Sequence, residues 1–270
     1  MLQNEGGKLT RVAVCTPGGE YFSVADLESH NITEIPDADR TLKQFSRLKS
    51  VLFEAGCDVV DAPELAGHPN SVFTRDVALV TPQGYIQLRM GLDSRRGEEE
   101  WMASILDSLG EPKVGEIRAP GTVEGGDIIL AGNVAFVGQS QRTNLEGVNQ
   151  ISKILKHMGY QVRIHRMEFR YLHLGGAMSM IGLQRVLCCR GVFPDRFFKG
   201  FDTVEVPQRG PSTGNVICLG ESEVIANRAE NAEAIKTLEE EGIKVHSMDL
   251  SEFRKGTGGP TCLILPIERI

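Results

Sequence analysis

No stretch of this sequence stays apolar for long. The longest run, Cys262 to Ile267, falls far below the ~18 residues that a membrane-spanning helix needs. The first residues, Met1 to Gly6, are polar and lack the apolar core of a secretion signal, so a cytoplasmic location is expected. The 29 Lys and Arg are scattered and outnumbered by 36 Asp and Glu, for a net charge of −7. No basic run follows a phosphate backbone, so neither a nucleic acid nor a membrane is an expected partner. There is no Cys-x-x-Cys, no His pair at metal spacing and no His-Glu-x-x-His, which argues against a metal. Gly-x-Gly-x-x-Gly and the Walker loop are also missing, and no cofactor is expected. Aromatic residues make up only 6%, so the core must be mainly aliphatic. Six cysteines lie scattered at 15, 57, 188, 189, 218 and 262, without a dense framework, and free thiols are expected.

What is present reads as an ordinary globule, 41% hydrophobic and 24% charged, with an excess of glycine (30 of 270) that implies many tight turns. A structural repeat organises it. Four segments read as strand, turn, strand: they begin at Asp76, Asp127, Ser179 and Asn215, each an aliphatic or β-branched run broken by Gly and polar residues. After the first come a helical pattern over 95–109 and a strand over 114–117. After the second come 144–158 and 160–164, and after the fourth 230–241 and 243–247. The helices carry apolar residues three and four apart, as at Val148, Ile151, Ile154 and Leu155. The third unit is weak, because 193–201 is short. A fifth unit is completed only by joining the two ends of the sequence. Residues 262–266 pair with 11–15, and a helix over 40–55 and a strand over 58–61 follow. The expected fold is therefore α/β: a five-bladed α/β propeller of ββαβ repeats around a pseudo-five-fold axis, in a single domain over 1–270. Units that lack a hydrophobic face of their own gain stability by closing on one another, and the hub is a natural pocket. An unsymmetric α/β sandwich is the alternative.

Several residues carry chemistry. Cys262 follows the Gly256-Thr-Gly-Gly-Pro-Thr segment, where a thiol at a Gly-rich junction suits a nucleophile; the alternative is a buried cysteine that merely packs. The other five cysteines sit in apolar strand-like contexts that fit packing. His173, beside Gly175 and Gly176, suits a general acid and base, although a lone His is more often a surface or core residue. Glu124-Gly-Gly-Asp127 places two carboxylates at a strand mouth, to bind a cation or orient a histidine, or to cap backbone amides. Asp76 opens a strand, an odd place for a charge unless it faces a pocket or forms a surface ion pair with Arg75 or Arg95. Arg95 and Arg142 have forks that suit a carboxylate ligand, or a solvated face.

Taken in order, Asn70-Ser-Val-Phe-Thr-Arg-Asp76, Ser94-Arg95-Arg96, Glu124-Gly-Gly-Asp127, Arg142-Thr-Asn, His173-Leu and Thr261-Cys262 resemble the guanidino-group modifying superfamily over essentially the whole chain. Within it, the size and the Ser-Arg-Arg and Arg-Thr-Asn segments look most like the dimethylarginine dimethylaminohydrolases (dimethylargininases). The resemblance implies a cysteine-dependent hydrolase of an arginine-like guanidine C–N bond, giving citrulline and an amine. Cys262 would attack the guanidinium carbon, and His173 would protonate the departing amine and then activate water. Glu124 would hold His173 and substrate nitrogens, Asp76 and Asn70 would bind substrate, and Arg95 and Arg142 would hold its α-carboxylate. The loop from Tyr21 to Ile32 would lie over the pocket. The partner implied is a small guanidino amino acid, with a monomer or a homodimer both compatible. Dimethylargininases carry acids where this chain has Asn70, Arg75 and Thr257. Phe73 to Asp76 reads more like arginine deiminases and amidinotransferases, and Asn70 also resembles arginine dihydrolases. These activities are the alternatives, with a non-catalytic propeller more remote.

Overall fold

Five short sheets, each of three strands, account for the strands of the computed structural model, which describes residues 3–270. Every sheet has the same plan: an antiparallel hairpin whose second strand also pairs in parallel with a third. Ala78–Thr81, Gly84–Gln87 and Lys113–Glu116 form one sheet. Ile128–Ala131, Val134–Gln139 and Gln161–Arg166 form the next. A parallel return needs a crossover, and the helices Glu98–Ser108 and Leu145–His157 supply it. The first strand of the hairpin is buried on both faces in four of the sheets, whereas the third strand alternates or is largely exposed. Apolar side chains all round a strand fit a position at the hub, and polar ones fit the rim.

The fifth sheet joins the ends of the chain. Leu9–Cys15 runs antiparallel to Leu265–Arg269, with Val12 opposite Pro266 and Ala13 opposite Leu265. It also runs parallel to Asp58–Ala62 across the helix Ala38–Glu54. This is the closure expected from the sequence, with one correction: the final strand starts at Leu265, not at Cys262. Gly259 and Pro260 turn the backbone first, and Cys262 sits in a 3₁₀ turn over Pro260–Leu263, its N–H donating to Gly259 O at 3.1 Å. Pro266 lacks an N–H and is tolerated because this strand lies at the edge of its sheet.

The helices follow from their caps and apolar stripes. Asp37 accepts from Arg40 N at 2.8 Å, and Asn144 from Gly147 N at 2.8 Å. Val148, Ile151 and Leu155 are buried on one helix face, with Ile154 partly buried beside them. The third unit, strands Met178–Gly182, Arg185–Cys189 and Asp202–Val206, has no α-helix. A 3₁₀ turn over Asp195–Phe198 stands in for it. Phe193, Phe197 and Phe198 crowd together, and Phe197, Phe198 and Phe201 pack on Phe136 at 5.0, 5.7 and 5.3 Å between ring centres. Much of the scarce aromatic content is spent at this one place. No helix among the described residues is long and apolar enough to cross a membrane.

Candidate active site

Each hub strand is preceded by a tight turn, and the five turns converge. Thr74–Asp76 precedes the first, Gly125–Asp127 the second, Leu174–Gly176 the third, the turn at 210–215 the fourth, and Pro260–Leu263 the fifth. Glu124 and His173 occupy the same place, the extended residue just before the turn. Asp76 and Cys262 sit within theirs. The repeat thus brings together residues from five separate segments.

His173 Nε2 lies 2.8 Å from Glu124 Oε2, and its Nδ1 lies 3.9 Å from Asp76 Oδ1. Glu124 Oε1 accepts from the backbone N–H groups of Gly91 (2.9 Å) and Leu92 (3.3 Å), so the carboxylate is fixed from behind. Asp127 divides the work of its pair: its oxygens accept from Leu174 N at 2.9 Å and Ser140 Oγ at 2.6 Å, steadying the turn after His173. Glycine is required at 126, because a Cβ there would lie 2.7 Å from the His173 ring. Burial pushes the His173 imidazole down, but Asp76 and Glu124 outweigh it and raise it to about 9. Burial likewise opposes ionisation of Glu124, yet the His173 contact, with Arg95 and Arg142 nearby, lowers it to about 2. The pair is an imidazolium on a carboxylate at neutral pH.

Cys262 is partly exposed, and the other five cysteines are buried, as their apolar contexts suggested. Its sulfur accepts from Gly259 N at 3.4 Å. Burial and the Asp76 charge push the thiol up to about 12, against the pull of that N–H, Arg95 and Arg75. Cys262 and His173 line the same two cavities. The inner one is tight, about 20 Å³, and is bordered by Asn70, Asp76, Arg95, Glu124 and Arg142. The outer one, about 450 Å³, has none of these charged groups on its walls. His30 and Asn31 border the inner cavity, so the expected loop does lie over it. Asn31 Nδ2 donates to Thr257 Oγ1 at 2.9 Å, and both residues hold left-handed backbones (φ 54° and 59°). Such conformations cost roughly 1–3 kcal/mol each and mark a place the surroundings over-determine.

The arginines behave differently from one another. Arg142 is buried with its Nη1 unpartnered, 3.8 Å from Glu124 Oε1. It remains available to a carboxylate. Arg95, expected to do the same, has its fork turned inward: Nη1 donates to Asp76 Oδ2 at 2.7 Å, Nε to Glu98 Oε2 at 2.9 Å and Nη2 to Phe73 O at 3.0 Å. The reason is Glu98, three residues on and fully buried, which competes for the guanidinium. The Asp76–Arg95 pair is buried and is not the weak surface pair weighed as an alternative. Arg75 is drawn away from the site, bonded to Glu5 at 2.7 Å. Asn70 Nδ2 donates to His30 O, while Oδ1 is buried without a partner beside the inner cavity. Asp76, Glu124 and His173 offer ligand atoms within 4.8 Å of one another, a set that suits a cation.

Sequence reasoning missed Asn215, the fourth unit's contribution. Its Nδ2 donates to Gly175 O and to Thr261 Oγ1, both at 2.7 Å, and its Oδ1 accepts from Thr261 N at 2.9 Å. One side chain therefore ties the segment carrying His173 to the segment carrying Cys262. Its place at the start of the fourth hairpin, in register with the other turns, was the available signal. Asn215→Ala is expected to lower kcat about 10- to 100-fold with KM nearly unchanged, because misplacement of reacting groups acts on the rate. Steady-state kinetics, with Asn215→Asp as a variant that keeps the acceptor, would check this; an equal rise in KM would contradict it.

The description "N,N dimethylarginine dimethylhydrolase, eukaryotic" belongs to a family model that matches residues 27–269. An N(G),N(G)-dimethylarginine dimethylaminohydrolase of Pseudomonas aeruginosa is 32% identical over 85% of this chain and 89% of its own. A structure of that organism's enzyme, a serine mutant complexed with citrulline, superposes with a TM-score of 0.83 at 29% identity, covering 96% of this chain and 99% of that one. The N-terminal domain of ArgZ, an arginine dihydrolase from cyanobacteria, shares the fold at a TM-score of 0.83 and 21% identity, over 97% and 98% of the two chains.

Proposed function

The chain belongs to the N,N-dimethylarginine dimethylhydrolase family, and from that premise we propose that it hydrolyses a C–N bond of an arginine-like guanidine through Cys262. The observation that carries this is the meeting of Cys262 and His173 in a cavity that Asp76 and Glu124 also border. A guanidinium is planar, cationic and resonance-stabilised, so water attacks it poorly. Asp76 and Glu124 neutralise its charge and hold its plane by paired hydrogen bonds. Arg142 takes the substrate carboxylate, and Asn70 Oδ1 accepts from its ammonium. Arg95 serves the site by orienting Asp76. The pairing of Leu9–Cys15 with Leu265–Arg269 supports treating 1–270 as one domain.

The thiol, held neutral in the free protein, loses its proton to solvent as the substrate cation docks beside it, since a positive charge favours the thiolate. Sulfur then bonds to the guanidinium carbon, the C–N bond breaks, and His173 passes its proton to the departing amine. Water enters, His173 takes a proton from it, and the C–O bond forms as the C–S bond breaks, leaving a ureido product. Rapid acid quench with Nω-methyl-L-arginine, followed by intact mass measurement, should show an amidino adduct on Cys262. Absence of both adduct and ureido product with every guanidine tried would defeat the proposal. A second reading, hydrolysis of unsubstituted arginine with release of ammonia, is favoured by Asn70, an uncharged side chain in the inner cavity; the same assay with arginine separates the two.

A further inference from the structure

We infer that the outer cavity receives the substituent on the departing nitrogen, so that this protein cleaves Nω-substituted guanidines whose substituent is far bulkier than methyl and is apolar. The inference rests on the hydrolase function proposed above and adds its substrate class.

Two cavities meet at Cys262 and His173, and they differ in chemistry. Besides His30 Nδ1, the inner one is bordered by two buried polar atoms without hydrogen-bond partners, Asn70 Oδ1 and Arg142 Nη1. One is an acceptor and the other a cationic donor, the two needs of an amino-acid head. The amino-acid arm therefore points inward, and the segment carrying His30 and Asn31, which borders this space of about 20 Å³, must yield to admit it. The three nitrogens of a guanidinium diverge at about 120°, as trigonal bonding dictates, so with the arm and the carboxylate-held edge inward, the remaining nitrogen faces His173 and the outer cavity.

That cavity is larger than a methylamine requires. Its 450 Å³ falls within the ~300–1,000 Å³ of small-molecule pockets. Phe169 (83% exposed), Leu172 and Pro211 give it apolar wall, and Arg170 and Arg254, which also line it, are already paired with Glu168 and Glu230. No Asp or Glu among the described residues lines it, so a cationic substituent finds no partner there. The wall is fixed in place. Asn231 Nδ2 donates to Ser212 O at 3.0 Å and Thr213 O at 2.7 Å, and a Cβ on Gly176 would lie 2.2 Å from Pro211 O. The chemistry balances as for the smaller amine: the C–N bond to the substituted nitrogen breaks, His173 supplies the proton, and the amine leaves through this cavity while water enters.

The test compares Nω-methyl- and Nω-benzyl-L-arginine in the wild type and in Pro211→Trp, a change at an exposed wall residue, following citrulline and benzylamine by chromatography. The wild type should handle the benzyl substrate within about tenfold of the methyl one in kcat/KM, and Pro211→Trp should cut the benzyl rate about tenfold or more while the methyl rate stays within about twofold. Should Pro211→Trp fail to fold, Phe169→Ala replaces it, with about a three- to tenfold loss expected for benzyl alone. Discrimination against benzyl by about 100-fold or more in the wild type, or a variant that slows both substrates alike, overturns the inference. Methyl turnover with benzyl silence defeats the inference alone. Silence with both defeats the hydrolase function, and the inference falls with it.

Discussion

Cys262→Ser should lose turnover by about 10⁴-fold or more and yet keep its fold. The two side chains are nearly the same shape, and the native sulfur makes one weak contact, the Gly259 N–H at 3.4 Å, that a hydroxyl can also accept. No group among the described residues is placed to ionise a serine here: His173 is already protonated and bonded to Glu124, and the Asp76 charge opposes a second anion beside it. Sulfur succeeds because docking of a cation beside it reverses the balance that holds the empty thiol up at about 12. Two measurements check this. Circular dichroism and thermal midpoint should match the wild type, and acid quench should show no added mass. In the wild type, a neutral alkylating agent at pH 7.5 should modify Cys262 slowly, and a haloacetamidine, cationic like the substrate, much faster. Equal rates would mean that the thiolate already exists in the free protein.

His173→Ala should cost about 10²–10⁴ in kcat, the usual worth of a positioned acid and base. The pH dependence is the sharper check. His173 is raised from about 6.5 to about 9, so its protonated form persists through neutral pH and the first step should fail as pH rises through about 9. The consequence for stability has a definite sign. A group whose pKa is raised on folding stabilises the fold fully below its unfolded value, near 6.5, and loses that contribution as pH climbs through 9. Glu124, lowered to about 2, contributes above its unfolded value near 4.5 and loses its contribution as pH falls through 2. Both describe one buried ion pair, which should be strongest between about pH 4.5 and 6.5. Thermal midpoints of wild type and Glu124→Gln should differ most in that window and converge above pH 9. A constant difference across the range would show that the pair does not titrate as described.

The propeller was legible because hairpin, helix and strand recur about every 50 residues except across the short third unit, and because 262–266 and 11–15 each needed a partner that nothing nearby supplied. The third unit was faint for a physical reason: phenylalanine rings cover it in place of a helix, and rings in a short turn carry no 3.6-residue pattern. Cys262 stood out from its glycines. The fork of Arg95 suggests a carboxylate ligand, and in the fold Glu98 and Asp76 hold it, partners set by distance in space that the residue type alone does not announce. Asn215 was silent because an uncharged amide announces no chemistry; only the register of the turns gives it a place.

The sheet that unites the two ends has a further meaning for biosynthesis. Thr10 and Glu268, neighbours in that sheet, are 258 positions apart. The first of these strands leaves the ribosome well before its partner and must wait, one edge unpaired, until residues 265–269 emerge, the entropic penalty of so long a loop growing only slowly with length. The nucleophile travels in that same late segment. A nascent chain therefore has no competent sulfur until the moment the wheel shuts, and maturation of the fold and onset of activity are one event.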